Sequence, residues 1–249
     1  PPARVADGGP VAVGIATLFA VAAAYVGALW LAARGLRAAG PARNELRVLI
    51  AVLSAAAAVR LVLAPLVAGY GVDIACFTSW SLHMANVGPA QFYQTVSFCD
   101  YPPGYLYVLL VDGLLMNLLG VTGGPGAELI VKLAPIACDI AGAALVYRLV
   151  RESALCAALG EGRARGRTAL LLAGLYAFNP ATAVTSACWG QAAAVLALLV
   201  LLALWLASAG RWRLAPPLYL AACLVQPPAA LLAPPGPAAP APPAALAPR

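Results

Sequence analysis

The sequence predicts an all-α integral membrane protein of about six transmembrane helices, with one long non-cytoplasmic loop that contains interfacial helices. Three observations carry this expectation. Hydrophobic residues make up 63% of the chain and charged residues 10%, with a mean hydropathy of +0.89, more apolar surface than a soluble domain of this length can bury. Apolar runs recur at lengths near the ~20 residues that cross a bilayer. The basic residues fall in short clusters between those runs rather than along one continuous face, so the net charge of +6 reads as a membrane topology signal and not as nucleic-acid binding.

Taken in order, the expected spans are 11–33, 48–69, 129–147, 168–186, 192–209 and 214–235. The first holds 23 residues without a charge, longer than a signal-peptide core; the chain starts Pro1-Pro2 and reads as a processed form or a fragment. Residues 105–120 are also apolar, but 16 residues with Asp112 inside are short for a span and fit an interfacial or re-entrant helix. Leaving them out of the count puts Arg34, Arg37, Arg43 and Arg47 on one side of the membrane. Arg148, Arg151, Arg163, Arg165, Arg167, Arg211 and Arg213 fall on the same side, so eleven of the 15 basic residues share a cytoplasmic face. Residues 70–128 then form the non-cytoplasmic loop, and the Trp189-Gly190-Gln191 turn shares its side. Residues 1–249 read as a single membrane domain that ends in a Pro/Ala-rich tail, 236–249, too rich in proline to hold a helix and expected to be disordered.

Chemistry concentrates between Gly71 and Tyr107. This stretch holds Asp73, Asp100, His83 and eight aromatic residues, a composition that suits the membrane interface. Six dispersed cysteines and one histidine give no zinc spacing, and no Asp-x-Asp pair occurs, so neither a metal nor a cofactor is expected. Cys76 and Cys99 lie in the one loop that would face an oxidising compartment and are expected to pair. Arg60 and Lys132 fall inside apolar runs, where a charge needs an internal partner or a functional reason; Asp139 has the same requirement.

Asp73 behind an apolar run is followed by Phe77 and Trp80, Gly88-Pro89, Phe92-Tyr93 and Cys99-Asp100-Tyr101-Pro102-Pro103-Gly104-Tyr105. Further on come Lys132-Leu133-Ala134-Pro135 with Asp139, Phe178-Asn179-Pro180 and Trp189-Gly190-Gln191. In order and spacing this series resembles the GT-C mannosyltransferases and glucosyltransferases over residues 48–235. The resemblance implies a multi-span enzyme that moves a sugar from a polyprenyl- or dolichyl-phosphate donor to an acceptor on the non-cytoplasmic side. It would work in the plasma membrane of a bacterium, or in the endoplasmic reticulum or another internal membrane of a eukaryote. Asp73 takes the place of the family's general base. Asp100, Tyr101, Arg60, Lys132, Trp189 and Gln191 are the implied substrate-binding residues, with Lys132 and Arg60 as candidates to stabilise the departing lipid phosphate. The relatives carry an acid two residues after Trp-Gly-Gln, where this chain has Ala193, and Lys-Pro-Gln where it has Gln226-Pro227-Pro228. Two other readings stay open: a transporter or flippase for a small or lipid-linked solute, and a non-catalytic relative that binds lipid.

Overall fold

The computed structural model describes residues 45–232, together with Gly27 and Arg34; the expected span 11–33 and the tail 236–249 lie outside the described residues. Every regular element among the described residues is helical. In order these are α1 (Glu45–Leu66), α2 (Gly71–Val87), a single turn α3 (Phe92–Thr95), α4 (Pro103–Leu119), α5 (Gly124–Glu152), α6 (Gly162–Ala177), α7 (Pro180–Ala183), α8 (Ala193–Ser208) and α9 (Ala215–Val225). A π-helical turn, Val184–Trp189, continues α7, and 3-10 turns cover Ala154–Leu159 and Pro227–Leu232.

α1 and α5 are long and apolar enough to cross a membrane, and α6 with the Pro180–Trp189 segment makes a third candidate if the pair, bent by 45°, is one span. The expected spans 192–209 and 214–235 appear as shorter helices of 16 and 11 residues. The second stops at Gln226 because Pro227 and Pro228 supply no N–H for the ladder. α4, with 17 residues, is likewise shorter than a span.

Small side chains let the long helices approach closely. Along α1 the inward stripe is Leu49, Ala56, Arg60 and Ala64. Ala56 meets Ala143 of α5 and Ala177 of α6, and Ala64 meets Ile136 and Ala187. The rest of α1 turns Leu46, Ile50, Val59, Leu61, Val62 and Leu66 outward, an apolar exterior suited to lipid. α5 is the central strut: at 29 residues it is ~43 Å long, more than a ~30 Å hydrocarbon core, and it packs on α1, α4, α6 and α8.

The stretch expected as a loop with interfacial helices, 70–128, is mostly helix. Its α2 and α4 run parallel, since the contacts Phe77–Tyr105, Ser81–Gly113 and Asn86–Asn117 advance together along both. Gly113 is required there, because a Cβ on it would overlap the Ser81 carbonyl oxygen. Next to it, Asp112 is buried and its Oδ2 has no hydrogen-bond partner among the described residues; burial lifts its carboxyl from the ordinary 3.8 to about 7. The folded state therefore keeps a proton that the unfolded chain gives up near pH ~4, so this contribution to stability is complete below that pH and is lost as the pH rises toward ~7. Asp112→Asn is expected to flatten that slope. Melting curves at pH ~5 and ~8 test it, and a variant whose pH dependence matches wild type would show that Asp112 is not the titrating group.

The two ends of the bundle differ in chemistry. At one end Glu45 of α1 pairs with Arg151 of α5 at 3.3 Å and accepts from Tyr147, while Arg165 at the start of α6 donates to the carbonyls of Val150 and Ser153. At the other end the close of α1 meets the start of α5, the start of α2 and the Trp189 turn.

Candidate functional site

At that second end four of the residues singled out by sequence come together. Asp73 stands in the first turn of α2, where a carboxylate suits the helix dipole. It shares the inward stripe of α2 with Phe77, Trp80 and Met84. Its Oδ2 accepts from Trp189 Nε1 at 2.8 Å and from Gln191 Nε2 at 2.6 Å, and Oδ1 has no hydrogen-bond partner among the described residues. The Tyr101 hydroxyl donates to Gln191 Oε1 at 3.3 Å, and Tyr70 meets Trp189 edge to face at 6.2 Å.

Local structure explains why Trp189 and Gln191 both reach one oxygen. The π-helical turn 184–189 ends at Gly190, whose φ of 75° lies in the left-handed region, and the chain reverses so that Gln191 N–H bonds Thr185 O at 3.0 Å. A side chain at Gly190 would be strained by φ and would also press on the Lys132 stem, with Cγ at 3.2 Å from the new Cβ. Beneath, Tyr105 is fully buried and its hydroxyl lies 3.5 Å from Gly190 O.

Lys132 supports the site from below without facing it. Its Nζ donates to Ala64 O and Val67 O at 2.8 Å each, carbonyls that the end of α1 leaves without helix partners, and pairs with Glu128 at 2.8 Å. Glu128 Oε1 also accepts Gly69 N–H at 2.8 Å. Together these bonds clamp 64–69 and so set where α2, and hence Asp73, begins. Glu128 was missed by sequence reasoning; its i,i+4 spacing to Lys132 was the available signal.

Arg60 is placed in a different network. Its guanidinium lies 3.2 Å from Asp139 Oδ2 and donates to Ala177 O at 2.6 Å, Ser186 Oγ at 3.3 Å and Thr182 Oγ1 at 3.2 Å. It thus satisfies a carbonyl freed where Phe178-Asn179-Pro180 breaks the α6–α7 span, with Asn179 Oδ1 capping Ala181 N–H on the far side.

Asp100 is exposed, and among the described residues it has no hydrogen bond to Trp189 or Gln191. Burial pushes the Tyr101 hydroxyl above its ordinary value; a hydrogen bond with the Gln226 side chain opposes that, while the negative charges of Asp73 and Asp100 add to it. Tyr101 is therefore a proton donor at neutral pH. Gln226, noted in the sequence only for its difference from the family pattern, thus joins the site. Around these residues Phe77, Trp80, Tyr101 and Tyr105 form an aromatic cluster with centroids 5.4 to 5.9 Å apart. His83 is a packing contact, with Nε2 2.8 Å from Thr95 Oγ1.

The expected Cys76–Cys99 bridge is not present: both are free thiols, and Cys99 Sγ is directed at Tyr101 O, 3.7 Å away. Burial pushes both thiols above their ordinary value, which favours the protonated form. In comparisons with known proteins, the chain matches no family model, no curated protein and no solved structure.

Proposed function

We propose that this chain is a membrane glycosyltransferase that passes a sugar from a polyprenyl- or dolichyl-phosphate carrier to an acceptor hydroxyl, with Asp73 as general base. The observation that carries the reading is the hold on Asp73. One carboxylate oxygen is fixed by two N–H donors while the other is left open, the arrangement a base needs if it is to meet an incoming hydroxyl in a set direction. In the reaction the acceptor O–H gives its proton to Asp73 Oδ1, the new C–O bond forms at the anomeric carbon, and the lipid phosphate leaves from the opposite face with inversion. An apolar groove of about 390 Å³, lined by Pro103, Gly104, Tyr107, Leu199 and Leu224, starts two residues beyond Tyr101 and suits an isoprenoid chain. The test is transfer or hydrolysis with a panel of polyprenyl-phosphate sugars. Turnover by wild type that falls in Asp73→Asn supports the reading, and turnover equal in both removes it.

The same proposal places six spans in the bilayer and the segment 70–128 outside the cytoplasm, as the basic clusters require. With the native cysteines replaced by alanine, single cysteines at the exposed positions Ser97 and Thr122 are expected to react with an impermeant maleimide on intact cells. Labelling of either only after permeabilisation overturns this topology.

One observation favours the non-catalytic lipid-binding reading instead. Lys132 and Arg60, the cations expected to meet the donor phosphate, are fully buried and committed to internal partners. A chain that binds a polyprenyl phosphate but transfers nothing from any sugar-loaded form would establish that reading.

A further inference from the structure

A second concavity lies on the opposite side of α2 from Asp73. Gly71, Ile74, Ala75, Thr78, Ser79 and Leu82 recur at helical spacing and form one wall, while Asp73, Phe77 and Trp80 occupy the other side of the same helix. Thr122 and the first turns of α5, through Gly124 and Glu128, form the facing wall. The cavity measures about 490 Å³, within the ~300–1,000 Å³ of small-molecule sites.

Its chemistry narrows the occupant. Three hydroxyls, on Thr78, Ser79 and Thr122, can each donate and accept. Glu128 has Oε1 taken by Lys132 and Gly69, and its Oε2 has no hydrogen-bond partner among the described residues. Lys132 is wholly buried behind it, so the carboxylate is neutralised from the protein side and no cation among the described residues lines the groove. An anion would find no positive partner there among the described residues. A cation would face a carboxylate already balanced at 2.8 Å by Lys132. A neutral ligand rich in hydroxyls matches both the hydroxyl donors and the open carboxylate oxygen, and Ile74 and Leu82 offer apolar contact to its C–H faces.

We propose that this groove between α2 and the start of α5 is a binding site for a neutral carbohydrate, with Glu128 Oε2 and the hydroxyls of Thr78, Ser79 and Thr122 as its polar contacts. The inference makes no use of Asp73 and stands whether or not the chain transfers sugar.

The experiment uses the whole chain in lipid nanodiscs, free of sugar-based detergent, with methyl α-D-glucopyranoside and methyl α-D-mannopyranoside as probes in saturation-transfer NMR. Inorganic phosphate and choline serve as the charged comparisons. At least one glycoside is expected to bind, and Ser79→Phe, at an exposed position that fills the groove, to abolish its signal. Thr78→Val should weaken it about tenfold through loss of one hydrogen bond. Unchanged melting temperatures would show that both variants fold. The proposal is overturned if neither glycoside binds wild type, if binding survives Ser79→Phe, or if choline or phosphate binds where the glycosides do not.

Discussion

Arg60→Met is expected to lower the stability of the folded chain by ~3–5 kcal/mol, the range for breaking a buried ion pair from one side. The reason is what it leaves behind. Arg60 and Asp139 are 1% and 2% exposed, so loss of the guanidinium strands a carboxylate between apolar helices and removes the 2.6 Å donor to the Ala177 carbonyl at the break in the α6–α7 span. Asp139→Leu alone should do comparable harm by stranding Arg60. The pair Arg60→Met with Asp139→Leu should recover much of the loss, because two apolar side chains of similar size replace two buried charges. Recovery should be incomplete, since the Ala177 carbonyl still lacks its donor. Thermal unfolding of wild type, both single variants and the double variant in nanodiscs closes the cycle. An Arg60→Met protein within ~0.5 kcal/mol of wild type would mean that water or lipid headgroups already reach this site.

How much of this was legible in the sequence depends on which interaction set each element. The apolar runs behind α1 and α5 were plain because length and hydropathy are local quantities. The helicity of α2 was also written in the chain: Phe77, Trp80, Ser81 and Met84 make the i, i+3, i+4, i+7 stripe that it buries. Polar residues between them made the segment resemble a loop, and only packing on α4, through the bare Gly113 contact, decides the matter. The apolar run 192–209 holds α8, Ala193–Ser208, one residue shorter at each end. The resemblance named Asp73 with Asp100, Tyr101, Arg60, Lys132, Trp189 and Gln191, and hydrogen bonds link only Asp73, Tyr101, Trp189 and Gln191; Gln226 could not be placed because its contact with Tyr101 spans 125 positions. Arg60 and Asp139 each announced the need for a partner. Their register, 79 residues apart, comes from helix packing alone. Lys132 shows the same limit in reverse: a buried lysine in an apolar run reads equally well as a phosphate ligand or as a cap for another helix, and the carbonyls of Ala64 and Val67 make it the cap.

Asp73→Asn is expected to lower the transfer rate by ~10²–10⁴-fold, the usual contribution of a positioned general base. The substitution is nearly isosteric and keeps an oxygen able to accept from Trp189 Nε1 and Gln191 Nε2, so the turn at Gly190 and the melting temperature should change little. What is lost is proton acceptance at the open oxygen. Donor affinity should persist, because the apolar groove beyond Tyr101 and not Asp73 would hold the lipid chain, and the effect should fall on kcat rather than on KM. Two comparisons separate catalysis from positioning. Gln191→Ala removes one of the two donors to Asp73 and the acceptor for the Tyr101 hydroxyl; it should cost less than Asp73→Asn, since Trp189 still orients the carboxylate. Asp100→Asn, at an exposed position without a hydrogen bond to Trp189 or Gln191, should cost least. If Asp73→Asn turns over normally, or Asp100→Asn proves the more damaging of the two, the base lies elsewhere, and the grip of Trp189 and Gln191 on Asp73 serves only to pin α2 to the turn at Gly190.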